Sequence, residues 1–175
     1  MDSTRTVVIG VGNPLRGDDG VGVRVAQELA DGPLPEGVAV ADGGTGGLDL
    51  LFVLEQAERV VLIDAAEMGC APGEARTFAG ERVAETPGVR FASTHGFGVA
   101  DVLALARAVG VQSDVTVVGI EPETVAYRDG LSETVASRVP EYVEMVRGLL
   151  ADGRETPAGH TCGQRSDFSG EDPGR

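Results

Sequence analysis

Four short runs of β-branched and other apolar residues, at 6–10, 38–41, 60–63 and 115–120, are separated by stretches with helical periodicity. That alternation constrains the chain more than any other feature. Runs that stay apolar on successive residues do not suit a half-exposed sheet, where every second side chain faces water, and belong to strands covered on both faces. Between them, Val21, Val25 and Leu29 fall on one helical face. So do Leu50, Leu51 and Leu54, and then Val99, Val102, Leu103 and Ala106. Strand and helix in turn predict an α/β fold: a three-layer sandwich in which a mostly parallel, twisted sheet carries helices on both faces.

A last helix is predicted from Val135, Val139, Val143, Val146 and Leu150, with Pro140 either kinking it or opening its second half. From 73 to 91 the pattern weakens into short extended pieces, 74–78 and 89–91, expected as edge strands or a hairpin. A chain of 175 residues holds one ordinary domain. The domain is expected over 1–152. Residues 153–175 are rich in Gly, Pro, Ser and charge and nearly devoid of apolar residues, so a disordered polar tail is expected there.

The 28 acidic residues outnumber the 14 basic ones, for a formal charge of −14. That balance argues against nucleic acid and anionic membranes as partners. Every basic residue is an arginine, and the absence of lysine excludes Schiff-base chemistry, a phosphate-loop lysine and a serine-lysine dyad. No apolar run reaches the roughly 18 residues of a membrane span. The polar tip passes directly into Val7-Val8-Ile9 without a signal-peptide pattern, so a cytoplasmic protein is expected. Only Cys70 and Cys162 occur, too few for a disulfide framework or a cysteine metal cluster. Acid–base or metal chemistry in the domain must therefore use carboxylates and His95, since the other histidine, His160, lies in the tail.

In a parallel sheet, ligands bind outside the carboxyl ends of the strands, where loops and helix N-termini converge. Four polar sites are directed to that edge: the loop with Asp18 and Asp19, the turn at Asp42, the strand end at Asp64, and the loop with His95. Asp18 reads as a cap for the helix beginning near Val21, and Asp42 as a turn-closing side chain ahead of Gly43-Gly44. Two adjacent carboxylates exceed what one cap requires, which leaves Asp19 open to a functional role. Asp64 follows an apolar run directly, so its carboxylate is expected to be partly desolvated, at a cost if unpaired. Together Asp19, Asp64 and His95 offer oxygen and nitrogen donors that suit a divalent first-row metal.

Competing sites fit poorly. Gly10-Val11-Gly12 follows a strand as in dinucleotide sites, but Leu15 replaces the third glycine, and Asp18-Asp19 would repel a phosphate at the helix N-terminus. No nucleophile elbow of the Gly-x-Ser-x-Gly type occurs, and Cys70 has no candidate base near it in sequence.

At these residues a family resemblance becomes specific. The run Gly10-Val11-Gly12-Asn13-Pro14-Leu15-Arg16-Gly17-Asp18-Asp19-Gly20-Val21-Gly22 resembles the N-terminal signature of the hydrogenase maturation proteases. Asp42-Gly43-Gly44-Thr45, Leu62-Ile63-Asp64-Ala65, Ser93-Thr94-His95-Gly96-Phe97-Gly98 and Gly119-Ile120-Glu121-Pro122 resemble later family blocks in the same order. The resemblance spans about residues 6 to 150 and leaves only the tail outside.

The resemblance implies a phosphorylase/hydrolase-like fold and an endopeptidase of the aspartic, nickel-dependent type. Its reaction would be a single cleavage that removes the C-terminal extension of a nickel-iron hydrogenase large-subunit precursor after nickel insertion. By the same resemblance Asp19, Asp64 and His95 become the catalytic and metal-contacting residues, with nickel supplied by the precursor, and a monomer is expected. Asp19 occupies a position that alternates between Glu and Asp in the family, and Gly96 stands where many relatives carry Gln. Two other functions compete: a metal-dependent hydrolase of a small molecule, which would use the same three residues with a bound ion of its own, and a chaperone that binds the precursor without cutting it.

Overall fold

A computed structural model of the chain describes residues 6–91 and 98–151. The strands are β1 (Thr6–Gly10), β2 (Val38–Asp42), β3 (Arg59–Glu67), β4 (Ala75–Ala79), β5 (Arg90–Phe91) and β6 (Asp114–Ile120). The helices are α1 (Val21–Ala30), α2 (Asp49–Gln56), α3 (Val99–Ala108), α4 (Glu133–Ala136) and α5 (Val139–Ala151). The sheet runs β2-β1-β3-β6-β4, parallel through β6, with β4 antiparallel at one edge. The expected three-layer α/β architecture is the one observed.

Successive side chains of a strand point to opposite faces, and β3 shows this plainly. Val61, Ile63 and Ala65 pack with Val21, Val25 and Leu29 of α1 and Tyr142 and Val146 of α5. Val60 and Leu62 pack on the other face with Leu50 and Leu54 of α2 and Val102 and Leu103 of α3. Each fully buried Val or Leu contributes about 1.5–3 kcal/mol relative to exposure, which is why the central strands tolerate almost no polar residue. The half-buried β2 departs from the expectation of full cover because it is an edge strand with β1 as its only neighbour.

β3 is longer than the apolar run 60–63. It continues through Asp64 to Glu67, with Ala65 and Ala66 fully buried. β1 accompanies it only as far as Ile63, opposite Gly10, and beyond that point the two-residue β5 pairs antiparallel with Ala66 and Glu67. The weak region thus supplies two edge strands that pair with different partners rather than with each other. Pro140 opens α5 as its second residue, where a missing N–H costs nothing.

α1 lies unusually close to the sheet. A Cβ on Gly22 would stand 2.2 Å from the Ile63 carbonyl oxygen and 2.4 Å from that of Val11. One on Gly10 would stand 2.2 Å from the Gly22 oxygen. Main chain therefore meets main chain where α1 crosses β1 and β3, and the loop carrying Asp18 and Asp19 is pressed onto the carboxyl edge.

Candidate active site

β1 connects through α1 to β2 on one side, and the chain then crosses to β3 on the other. α1 covers one face of the sheet and α2 the other. The carboxyl ends of β1 and β3 consequently flank a topological switch point, the crevice where open α/β sheets bind ligands. Asp19 follows β1 and Asp64 lies on β3 one position past the last residue paired with β1.

Both carboxylates are buried, Asp19 at 3% exposure and Asp64 at 1%. Asp19 Oδ2 accepts a hydrogen bond from the Asn13 backbone N–H at 3.2 Å, and Asn13 Oδ1 in turn accepts from the Leu15 N–H at 3.0 Å. Asp64 Oδ2 has no hydrogen-bond partner among the described residues. Burial pushes the Asp64 carboxyl well above the ordinary value of 3.8, the nearby charge of Asp19 pushes it further, and a hydrogen bond from the Ala65 backbone opposes both. Burial and the Asp19 charge both favour the protonated form of Asp64 relative to an exposed carboxyl; that form donates a proton, while the ionised form accepts one.

The structure brings Asp19 and Asp64 together. His95 lies outside the described residues, between the end of β5 at Phe91 and Gly98 at the start of α3. Among the described residues no three metal-capable side chains cluster. Asp19 and Asp64 supply two carboxylate donors of the hard type that a divalent cation accepts.

The expected capping role of Asp18 is not observed. The N-cap position of α1 is Gly20, which makes no side-chain cap. The Asp18 carboxylate turns instead to the segment after β6, where its oxygens accept from the backbone N–H groups of Glu123 (2.9 Å), Thr124 (3.1 Å) and Ser132 (2.7 Å) and from the Ser132 hydroxyl (2.9 Å). Several convergent donors make burial of a carboxylate tolerable where one cap would not. Asp42 does close its turn, accepting from the Gly44 N–H at 2.8 Å. Cys70 is buried and is not a free thiol, so it offers no nucleophile.

Sequence reasoning also passes over Glu121 as an individual side chain. It is buried beside the edge, and its Oε2 accepts from the backbone N–H groups of Met68 (2.6 Å) and Cys70 (3.1 Å), tying β6 to the turn after β3. Its place immediately after the apolar run 115–120 is the available signal. A groove of about 470 Å³ opens here, lined by Glu67, Arg90, Glu121, Glu123 and Thr124 among others. A larger one, about 640 Å³, lies at the amino ends of the strands beside Ser113 and Asp114, remote from the carboxylate pair.

Residues 23–148 match the family model described as hydrogenase maturation protease. The chain is 38% identical over 161 residues to a hydrogenase expression/formation protein HupD of Rhodobacter capsulatus, covering 90% of this chain and 77% of that one. It is 33% identical over 151 residues to the hydrogenase 2 maturation protease of Escherichia coli, covering 85% and 92%. Among solved structures, the hydrogenase maturating endopeptidase HybD of E. coli superposes with a TM-score of 0.75 at 33% identity, over 85% of this chain and 93% of that one. A [NiFe] hydrogenase maturation protease HycI from Thermococcus kodakarensis superposes with a TM-score of 0.68 at 26% identity, over 85% and 93%.

Proposed function

This chain belongs to the hydrogenase maturation protease family, and on that premise we propose that it removes the C-terminal extension of a nickel-iron hydrogenase large-subunit precursor, by one cleavage after nickel insertion. The chain is a peptidase by family, which favours cleavage of a protein over small-molecule hydrolysis or chaperoning. Asp19, Asp64 and His95 act as one unit that recognises the nickel carried by the precursor. Nickel is therefore part of the substrate, and its loading becomes a condition of cleavage. No helix among the described residues is long and apolar enough to cross a membrane.

The observation that carries this reading is the Asp64 carboxyl: 1% exposed, one oxygen without a partner among the described residues, and coupled to the charge of Asp19 at the switch point. A purely structural carboxylate at that depth would be satisfied, as Asp18 is. Hydrolysis adds water across the scissile C–N bond. One group must take a proton from the water as its oxygen bonds the carbonyl carbon, and the leaving amine must gain one. The protonated form of Asp64, favoured by its burial, can donate a proton, and its ionised form can accept one.

The test incubates purified protein with precursor, nickel-loaded or nickel-free, and measures the C-terminal mass of the product. Wild type should cut only the loaded form, and Asp19→Asn, Asp64→Asn and His95→Ala should cut far more slowly while remaining folded. Equal cutting of nickel-free precursor, or full activity in all three variants, would refute nickel recognition by these residues.

A further inference from the structure

The loop that carries Asp19 holds a cation that the hydrolytic chemistry leaves unused. Arg16 lies three residues before Asp19, and its Nε and Nη1 are buried with no hydrogen-bond partner among the described residues. Desolvated donors on a cation are costly when unmet. The ring of Tyr127 faces the Arg16 guanidinium carbon with 5.7 Å to its centroid, which attracts the charge but supplies no in-plane acceptor. The arrangement is held by main chain. Arg16 and Arg128 form a parallel bridge, in which the Gly17 N–H donates to the Arg128 carbonyl at 3.1 Å and the Arg128 N–H to the Leu15 carbonyl at 3.2 Å.

Two arginines are thus set side by side at the rim of the site, and neither forms an ion pair among the described residues. What marks the couple is that both Nε and Nη1 of Arg16 are buried without an acceptor among the described residues. Leu15 and Tyr127 border it, 63% and 86% exposed, so an incoming chain can reach it.

We infer that Arg16, beneath Tyr127, and the adjacent Arg128 bind a carboxylate of the precursor polypeptide and so set substrate specificity. The inference rests on the protease reading, because a polypeptide's ordinary anions are carboxylates and the planar guanidinium fork matches that group. Arg16 supplies the desolvated donors, Arg128 a second positive charge, and Tyr127 faces the Arg16 guanidinium. The carboxylate is either an acidic side chain of the precursor or the C-terminus of its extension.

The experiment uses the full chain and nickel-loaded precursor, measuring Kd for the complex, KM and kcat for cleavage, and unfolding of the protease alone. Arg16→Met keeps the length of the side chain and removes the charge. It should raise KM and Kd about tenfold to a hundredfold, the worth of a charge-assisted hydrogen bond, with kcat nearly unchanged. Stability of the isolated protease should hold or rise, since an unmet buried cation is lost. Precursors with single Asp→Asn or Glu→Gln changes, and one ending in an amide, then identify the carboxylate: on the right one, Arg16→Met has no further effect. Unchanged KM and Kd in Arg16→Met, or a loss of stability that accounts for the whole defect, would overturn the inference. So would full additivity with every precursor variant. Failure of wild type to cut the precursor it binds would instead overturn the protease reading, and Kd would still decide the role of Arg16.

Discussion

Ser132 and Asp18 are joined by two hydrogen bonds across 114 residues: the Ser132 backbone N–H donates to Oδ1 at 2.7 Å and its hydroxyl to Oδ2 at 2.9 Å. The same hydroxyl accepts from the Val135 N–H at 3.3 Å, capping α4. One serine therefore locks the start of the last helical segment to the loop that carries Asp19.

Asp18→Asn should destabilise the domain on the order of 1–3 kcal/mol, because the amide cannot accept from all four donors and leaves at least one buried N–H or O–H unmet. Denaturant unfolding measures this directly. Cleavage should fall as well, since Asp19 shares the loop; a variant of wild-type stability would show that the four contacts are dispensable.

The buried Asp64 carboxyl gives stability a pH dependence of definite sign in the nickel-free protease. Its folded-state value lies well above 3.8, so its contribution is fully present below pH 3.8, where both states are protonated. Stability relative to Asp64→Asn should then fall as pH rises, because the unfolded state ionises first, and should level off once the folded value is passed. Unfolding free energies of the two proteins across pH 3 to 9 test this (roughly the span in which buried carboxyls titrate). Removing the charge of Asp19 by Asp19→Asn should narrow the window, and a difference that is flat with pH would place Asp64 in a solvated setting.

Gly22→Ala should damage activity beyond its cost in stability. The new Cβ meets two carbonyl oxygens of the sheet at 2.2 and 2.4 Å, so α1 must retreat. Overpacking of this kind costs about 1–3 kcal/mol. Because the Asp19 loop leads straight into α1, processing rates should drop more than the folded fraction does, as rate and unfolding measured on one preparation will show.

Replacing two of Asp19, Asp64 and His95 together should lower cleavage hardly more than the worst single replacement, as expected of groups that act as a unit. Rates for the singles and doubles on nickel-loaded precursor decide it. Losses that multiply would mean independent roles.

Much of the scaffold is legible because its central strands are buried on both faces and advertise themselves as unbroken apolar runs. The limits of that signal are equally physical. Asp64 reads as a strand end, since a carboxylate normally stops a buried strand, yet β3 continues through it to Glu67. Pairing with β6 carries Asp64 and Ala65 and pairing with β5 carries Ala66 and Glu67, and a two-residue strand has no periodicity to detect. Asp18 reads wrongly as a cap because a cap is a local device, whereas its true partners lie more than 100 residues away and only the fold reveals them. Asp19 and Asp64 can be placed on one edge from strand order alone. Their mutual charge coupling cannot, and neither can the lack of an acceptor for Arg16 Nε and Nη1 among the described residues, which depends on which side chains fail to reach them.

At Gly22 no side chain stands between α1 and the carbonyls of Ile63 and Val11. The spacing of the carboxylate pair is therefore gauged by the thickness of the polypeptide itself. Drift in the hydrophobic interior, where one aliphatic residue replaces another over time, can alter the fit of α5 or α3 without resetting that gauge. The protein can vary its filling freely and still hold its reactive edge to one dimension.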